Sequence, residues 1–531
     1  MEKKHKSRSF IESTFLLVFA NAIVKVIGAC FTIPLTNLIG GDGNGIFTVA
    51  YYIYTAVYVI ATAGLPVAVS KMVAEANAMG RARQVRQIFR VSLITFLVIG
   101  TLGTGVMMAG ARVFTRIIGN SMAYQAVLAI APSIFCVAVV SAIRGYYQGL
   151  SDMVPTAISQ LIEALGKLGF GLLLTWVLIE KSYPLETVVA GSISGVTIGT
   201  VLSALYMIAV RSRDRRVLDH SGDGDFSGSA KQTFRQLIGI AVPVTIGSSV
   251  MSLTNLIDMG VVMNRLQDAG MTEVEANYIY GCYSMAVKLF NLPQTLIVAI
   301  SISVIPTIAA AYVRRNITLA NRTTETAFRL TALMAMPCAV GLAVLAKPIL
   351  DLLYYRIPEE VAIATPLLQI ISPAVLMVGL VSVVNALLQG MGKERIPVVT
   401  MLCGGVVKLV ANYIMVGNPA INIHGAPVST TLCYSTIAIL GMIVIHKNGI
   451  RISYYRVFGK PLIAAAVMGV FAWLAFTPMS ALLGSKLGCL VTVGLSAVVY
   501  LLMLIVIKAL PKEDVLMLPK GEKIAKLLRI Q

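Results

Sequence analysis

The sequence predicts an all-α, multi-pass membrane protein of about 14 transmembrane helices, arranged as two pseudo-symmetric six-helix lobes plus two C-terminal helices. Three observations favour this class: the composition, the length of the apolar segments and the distribution of the basic residues. Of the 531 residues, 57% are hydrophobic and only 13% are charged, and the mean hydropathy is +0.83. An ordinary soluble globule does not have this composition, so we expect a bilayer to surround most of the chain.

Apolar segments long enough to cross a bilayer follow one another along the chain. A helix needs about 20 apolar residues to cross a hydrocarbon core of roughly 30 Å. The segments that meet this length cover approximately residues 10–38, 46–70, 88–110, 121–143, 156–179, 187–210, 236–263, 277–305, 326–346, 361–389, 396–416, 425–445, 460–480 and 486–508.

Basic residues gather in alternate connections between these segments. Three inner connections carry arginine clusters, near residues 81–90, 211–216 and 314–329, whereas the connection from Arg265 to Glu275 is acidic. Because cytoplasmic loops carry the excess of Lys and Arg, both termini are predicted to be cytoplasmic. The net charge of +19 is spread over many short loops. This spread indicates contact with anionic lipid and argues against a nucleic-acid partner.

Cysteine and histidine usage gives no sign of a metal site. The seven cysteines lie singly in apolar stretches and the four histidines are scattered. Small buried hydrophobic side chains are the usual role of such cysteines. We therefore expect no metal and no cofactor.

The chain also repeats itself, which predicts its domain organisation. Matches at one constant offset pair Pro132 with Pro373, Ser141 with Ser382, Gln148 with Gln389, Gly149 with Gly390 and Lys167 with Lys408, and the run Leu35 to Ile39 recurs as Leu253 to Ile257. Two related sets of six spans in the same orientation are typical of alternating-access transporters. The predicted parts are an N-terminal lobe (residues 1–215), a cytoplasmic linker (216–232), a C-terminal lobe (233–455), and two extra helices with a basic cytoplasmic tail (456–531).

Four lysines lie near the middle of predicted spans, and they are the main candidates for a binding site: Lys25, Lys167, Lys288 and Lys408. A charge at bilayer depth costs about 2.5 to 3.5 kcal/mol on insertion scales, so such residues usually face water, a partner or an anion. Glu163 precedes Lys167 by one helical turn, which favours a structural ion pair between them. The other three lysines have no acid at that spacing, and they lie too deep for their side chains to reach the headgroups.

A second group of residues, four prolines and one aspartate, is predicted to act in gates that open and close the transport pathway. Proline loosens the hydrogen bonding of a membrane helix and lets it bend. Asp258 is read either as a solvated carboxylate at a helix end or as part of an outer gate. Asn37 and Asn255 are equivalent in the repeat and are expected to bond helices near that gate or to touch substrate. The gating candidates are Pro34, Pro66, Pro293, Pro306 and Asp258.

Several motifs resemble one transporter superfamily. They are the turn at Pro34 to Thr36, the glycine-rich turn from Gly40 to Gly45, the block from Gly64 to Glu75, and the group Arg144, Gly145, Gln148 and Gly149. In these motifs the chain resembles the polysaccharide-exporter branch of the multidrug, oligosaccharidyl-lipid and polysaccharide flippases. Within that branch it is similar to the stage V sporulation protein B and lipid II flippase groups.

The resemblance implies a function in envelope synthesis. It implies a flippase, not an enzyme, in the bacterial cytoplasmic membrane, which moves an undecaprenyl-diphosphate-linked saccharide such as a peptidoglycan precursor to the outer leaflet. Related lipid II flippases carry basic cavity residues in places similar to Lys25 and Lys288, although they favour arginine.

Some alternatives and details stay open at the level of sequence. A multidrug or cation antiporter of the same fold and a non-transporting membrane scaffold are the alternative functions. We expect a monomer whose partners are the polyprenyl-linked saccharide and membrane lipid. Either Na⁺ or H⁺ remains open as a coupling ion.

Overall fold

The computed structural model describes residues 10–214, 228–294, 316–450 and 452–507, together with residues 297, 304, 305, 308–312, 314 and 509. The regular elements within this part are all helical. In chain order the α-helices are α1 (Phe10–Thr62), α2 (Gly64–Ala78), α3 (Ala82–Ile118), α4 (Tyr124–Ile130), α5 (Pro132–Gly149), α6 (Val154–Glu180), α7 (Leu185–Arg213), α8 (Ala230–Asp268), α9 (Glu273–Asn291), α10 (Ile317–Val344), α11 (Ala346–Leu353), α12 (Pro358–Ile371), α13 (Ala374–Gly390), α14 (Arg395–Val416), α15 (Gly425–Lys447), α16 (Lys460–Leu483) and α17 (Ser485–Val506).

The fold class is confirmed, but the expected number of about 14 spans is not. Within the described residues, 11 helical segments are long and apolar enough to cross a membrane, or up to 12 if α12 and α13, which meet at 45°, form one span. One of these segments, Phe19–Ala78, is 60 residues long and contains most of two expected spans, 10–38 and 46–70. The span expected at 277–305 runs into residues outside the described part.

The first helix is broken at a glycine. Gly40 has φ 66° and ψ −168°, so α1 consists of two helices that meet there. A side chain rarely tolerates this backbone conformation, which explains why a glycine occupies the break. Pro34 lies inside the first of the two helices.

The described chain forms two compact units. The first contains Met1–Asn264 and Glu273–Gly281, and the second contains Arg265–Thr272 and Cys282–Gln531. Most of α8 therefore packs in the first unit, whereas the repeat assigns it to the C-terminal lobe. Residues 215–227 lie outside the described part, so the linker and the lobe boundaries stay a prediction about the repeat.

Each unit contains the same local pattern at the repeated residues. In the first unit α4 is followed by Pro132 and then by α5, which ends at Gly149. In the second unit α12 is followed by Pro373 and then by α13, which ends at Gly390. Proline cannot donate a backbone hydrogen bond, so each break falls at the proline that begins or caps the second helix.

Separate hydrophobic cores hold each unit together. In the first unit, α2, α3, α5 and α7 contribute side chains such as Val69, Phe96, Ile143 and Met207 to one buried cluster. In the second unit, α10, α13 and α15 form a comparable cluster. The two C-terminal helices pack on α10, where the buried Tyr500 hydroxyl donates a hydrogen bond to the Leu333 carbonyl oxygen at 2.9 Å.

Candidate functional site

A polar cavity of about 260 Å³ lies within the first unit, among α1, α5, α6 and α7. It has apolar walls interrupted by charged and amide groups. The polar side chains that line it are Asn21, Arg144, Gln160, Glu163 and Lys167, and the aromatic ones are Phe31, Tyr51 and Tyr54. Concave sites with apolar walls and a few convergent polar groups are the usual form of a ligand-binding site.

An ion pair holds one side of this cavity. Arg144 Nη2 lies 3.0 Å from Glu163 Oε2, and the two side chains are 14% and 31% exposed. Arg144 Nε also donates to Ser159 Oγ at 2.8 Å, and Nη2 lies 3.4 Å from Ser203 Oγ. The guanidinium of α5 is therefore held by side chains of α6 and α7, and the carboxylate it pairs with is neutralised.

Lys167 has a different environment from the one that its sequence spacing suggested. Its Nζ lies 4.8 Å from the centre of the Phe31 ring and 5.0 Å from the centre of the Tyr51 ring. Within the described residues Glu163 forms its close ion pair with Arg144 and not with Lys167, although the two charges of α6 still interact through space. Arginine is the better partner for a partly buried carboxylate because its planar fork donates several hydrogen bonds. The lysine instead rests on aromatic faces, which attract a cation.

These contacts give the cavity a net positive charge. Two cations, Arg144 and Lys167, face one carboxylate, and the carboxylate is engaged by the arginine. The remaining ammonium lies against the aromatic rings and forms no close ion pair within the described residues, so an anionic group of a ligand could pair with it. A metal ion would find few ligands here, because Glu163 is the cavity's single carboxylate.

Close packing of α6 on α7 positions the two charged residues of α6. A Cβ atom placed at Gly199 of α7 would lie 2.5 Å from the backbone carbonyl oxygen of Glu163 and 3.0 Å from the backbone nitrogen of Lys167. Small residues at such contacts let membrane helices approach closely. The backbone that carries Glu163 and Lys167 is thus fixed against α7.

Of the residues predicted for a binding site, the structure brings Lys167 and Glu163 together in this cavity. Lys25 lies on the exposed surface of α1, between Asn21 and Gly28, two residues that line the cavity. Lys288 and Lys408 lie in the second unit on α9 and α14, and both are half-buried. Their predicted roles stay predictions.

The two predicted asparagines differ in exposure. Asn37 is 8% exposed, and its Nδ2 donates to the Ile33 carbonyl oxygen at 3.0 Å within α1. Asn255 is exposed on α8. Neither residue lines the cavity of the first unit.

The gating candidates are also dispersed. Pro34 lies inside α1, Pro66 lies in the first turn of α2, and Pro293 follows the end of α9. Asp258 is half-buried on α8. Pro306 lies outside the described residues, so its role remains a prediction from sequence alone.

Two features of the first unit were not predicted from the sequence. Hydropathy predicted a span that ends at residue 143, just before Arg144. In the structure α5 continues to Gly149, and Arg144 lines the cavity. The signal that could have found it was the spacing of Ser159, Glu163 and Lys167, which puts polar groups on one face of α6. Those groups need a partner on a neighbouring helix.

The second unpredicted feature is a buried amide cluster beside the break in α1. Asn44 Nδ2 donates to the Gly281 carbonyl oxygen at 2.7 Å. Asn277 Nδ2 donates to the Asp42 carbonyl oxygen at 2.9 Å, and Asn277 Oδ1 accepts from Asn120 Nδ2 at 2.7 Å. These bonds tie the glycine-rich turn to the first half of α9.

Comparison with known proteins places the chain in a family. The family model described as polysaccharide biosynthesis protein matches residues 10–312, more than half of the chain. The chain belongs to this family. A second model, MatE, matches residues 243–414 of the chain.

Curated relatives cover nearly the whole length of this family member. Lipid II flippase MurJ of Bacillus subtilis (strain 168) is 26% identical over 484 residues, which are 87% of this chain and 88% of that protein. Stage V sporulation protein B of the same organism is 23% identical over 519 residues, or 96% of this chain and 98% of that protein.

A solved structure shows the same fold. Lipid II flippase MurJ in an inward closed conformation superposes with a TM-score of 0.69 at 14% sequence identity, covering 92% of this chain and 98% of that one. The family models and the apolar helices together make the chain a multi-pass membrane protein of the multidrug, oligosaccharidyl-lipid and polysaccharide superfamily. Lipid II flippase MurJ is a flippase by name, and these matches class the chain with transporters and not with enzymes.

Proposed function

We propose that the protein is an alternating-access flippase that moves an undecaprenyl-diphosphate-linked saccharide across the bacterial cytoplasmic membrane. The cargo is the peptidoglycan precursor lipid II or a related polysaccharide precursor. The relatives support a lipid-linked substrate, since the name of one of them specifies lipid II. In this proposal both termini face the cytoplasm.

The observation that carries the proposal is the spare positive charge of the cavity. Glu163 is engaged by Arg144, and Lys167 is held over two aromatic rings. A cation held in this way at bilayer depth is unfavourable unless an anion or water meets it. A diphosphate meets this need, because its oxygens form charge-assisted hydrogen bonds with an ammonium.

The other predicted residues take secondary roles in the proposal. Lys25, Lys288 and Lys408 are proposed to meet the diphosphate at other stages of transport, and the candidate prolines to let helices bend. The C-terminal helices α16 and α17 expose large apolar side chains such as Trp473 and Leu490, which suit contact with a polyprenyl tail or lipid. Inward attraction of a net positive cavity by the membrane potential is worth about 2.3 kcal/mol per charge per 100 mV.

The proposal is tested by removing the charge of Lys167. The variant Lys167→Gln should support less than about one tenth of wild-type flipping of lipid II in proteoliposomes, because it loses the ammonium that meets the diphosphate. Lys167→Arg should retain part of the activity. Lys347→Gln is the matched control, since Lys347 is exposed and pairs with Asp351 outside the cavity. Wild-type flipping rates in Lys167→Gln, with normal protein levels, would refute the proposed role of the cavity.

A drug or cation antiporter is the second candidate function. The match of residues 243–414 to the MatE family model favours it. Such a transporter needs an available acid in its cavity, whereas Glu163 is engaged by Arg144. Efflux of cationic dyes that depends on Glu163 and is unaffected by Lys167→Gln would support this candidate over the flippase.

A further inference from the structure

One side chain of the cavity is not explained by a diphosphate alone. Gln160 Oε1 is buried and has no hydrogen-bond partner among the described residues. Gln160 lies on α6 three residues before Glu163 and seven before Lys167, so all three face the same side of the helix. A buried acceptor without a partner is unfavourable, and in native proteins it often marks a place where a ligand or water binds.

The hydrogen-bonding character of this face points to a ligand with donors. Glu163 uses Oε2 for Arg144, and its Oε1 has no hydrogen-bond partner in the described part of the chain. A phosphate oxygen accepts hydrogen bonds, so it satisfies Lys167 but neither of these oxygens. An O–H or N–H group beside the negative charge would satisfy them.

The aromatic wall of the cavity indicates what carries those donors. Rings on α1 are in contact in one continuous series, Phe31, Phe47, Tyr51, Tyr54 and Tyr58, with neighbouring centres 5.7 to 6.0 Å apart. Phe31, Tyr51 and Tyr54 of this series line the cavity. A pyranose ring offers C–H groups to such a wall and hydroxyl groups to the polar face.

The size of the cavity limits how much saccharide it takes. Its volume of about 260 Å³ lies just below the range of about 300 to 1,000 Å³ that is typical of sites for drug-sized ligands. A disaccharide with a peptide does not fit such a space. One sugar ring with its adjoining phosphate is the part that matches it.

We infer that this cavity is a sugar-binding subsite, which takes the sugar ring attached directly to the diphosphate of the carried lipid. Gln160 Oε1 accepts a hydrogen bond from a hydroxyl or acylamino N–H group of that ring, and Lys167 meets the phosphate. The inference rests on the proposed flippase function and adds a specificity determinant to it. Gln160 then distinguishes a glycosylated lipid from the bare polyprenyl diphosphate.

The test compares two lipids on the full-length protein in nanodiscs. Binding of lipid II and of undecaprenyl diphosphate is measured for the wild type and for Gln160→Met, which keeps the size of the side chain and removes the amide. We expect the ratio of the two affinities to fall about tenfold, which is the effect of one lost hydrogen bond. Gln294→Met, outside the cavity, is the matched control and should keep the wild-type ratio.

Thermal unfolding separates a binding role from a structural one. Because the Gln160 Oε1 has no protein partner, Gln160→Met should unfold at or above the wild-type temperature. An unchanged affinity ratio, or a lowered unfolding temperature with equal losses for both lipids, would overturn the inference. If the wild type binds neither lipid, the proposed flippase function fails. If it binds both lipids with equal affinity, only the sugar-binding role of the cavity is rejected.

Discussion

At the scale of single residues, the site depends on a competition between two cations for one carboxylate. Arg144 and Lys167 both lie near Glu163, and the arginine pairs with it while the lysine rests on the rings of Phe31 and Tyr51. The pairing leaves one cation without a close carboxylate partner, and its flexible stem restricts it less than three hydrogen-bond partners restrict the guanidinium. Arg144 therefore has a structural role as the partner of Glu163, and Lys167 is the candidate ligand-binding group.

This competition predicts unequal effects of removing each member of the ion pair. Glu163→Gln leaves two neighbouring cations without a carboxylate, whereas Arg144→Gln leaves a carboxylate that Lys167, one turn along α6, can pair with. Breaking a fully buried pair costs about 3 to 5 kcal/mol. Because Glu163 is 31% exposed, we expect a smaller loss of about 1 to 2 kcal/mol for Glu163→Gln.

Thermal unfolding of the purified protein in detergent would measure both changes. Glu163→Gln should lower the unfolding temperature by several degrees and by more than Arg144→Gln does. The double variant Arg144→Gln with Lys167→Gln is the control, because it removes the substitute partner and should unfold earlier than Arg144→Gln alone. A larger loss in Arg144→Gln than in Glu163→Gln would show that Lys167 does not replace the arginine.

Sequence reasoning reached only part of this site, for identifiable reasons. It found Lys167 and Glu163 because charges at bilayer depth are rare. It assigned them to each other because helical spacing is the only pairing that a sequence displays. It named Arg144 only as part of a family motif and did not single out Gln160, since a tertiary partner on α5 and a buried amide on α6 leave no trace in hydropathy.

At the scale of helices, the sequence predicted which segments are helical better than where they break. Hydropathy identified two spans at 10–38 and 46–70, and the break in α1 at Gly40 lies in the gap between them. Hydropathy did not place the second break, between Thr62 and Gly64, which falls inside the expected span 46–70. The buried asparagines that hold the turn after Gly40 were also outside its reach.

The contact between α6 and α7 gives a prediction about helix packing. Gly199→Ala places a methyl group against the backbone of α6 at Glu163, so the helices must separate. Overpacking of this kind costs about 1 to 3 kcal/mol. We expect a lower unfolding temperature together with weaker binding of undecaprenyl diphosphate, since the separation displaces Lys167.

A second glycine of the same helix pair provides the control. Gly169 lies on α6 with open space around its Cβ position, so Gly169→Ala should be neutral or stabilising by up to about 1 kcal/mol. Both variants would be compared by thermal unfolding and by lipid binding in nanodiscs. Equal behaviour of the two variants would mean that the α6–α7 contact does not position the site.

At the scale of the whole molecule, the repeat in the sequence and the packing in the structure describe different things. Matched prolines and glycines occupy matched helix breaks and ends in α5 and α13, as the repeat suggests. Packing nevertheless assigns α8 up to Asn264, and the segment Glu273–Gly281, to the first unit. A repeat records how the chain arose and which elements correspond, whereas packing records which helices bury surface on each other.

Orientation in the membrane is the last property that the sequence predicts and that an experiment can decide. The alternation of basic loops places the connection after α2 in the cytoplasm and the connection between α6 and α7 outside. Met79 and Tyr183 lie in these two connections, and both are exposed. In a variant whose seven native cysteines are replaced by serine, Tyr183→Cys should react with a membrane-impermeant maleimide on intact cells.

Met79→Cys should react only after the cells are made permeable, because the bilayer shields a cytoplasmic thiol from the reagent. The permeabilised sample is also the control that both thiols are reactive. The reverse pattern would invert the whole assignment, because one helix after another alternates direction across the bilayer. The basic connections would then lie outside, which is the opposite of what the positive-inside rule predicts.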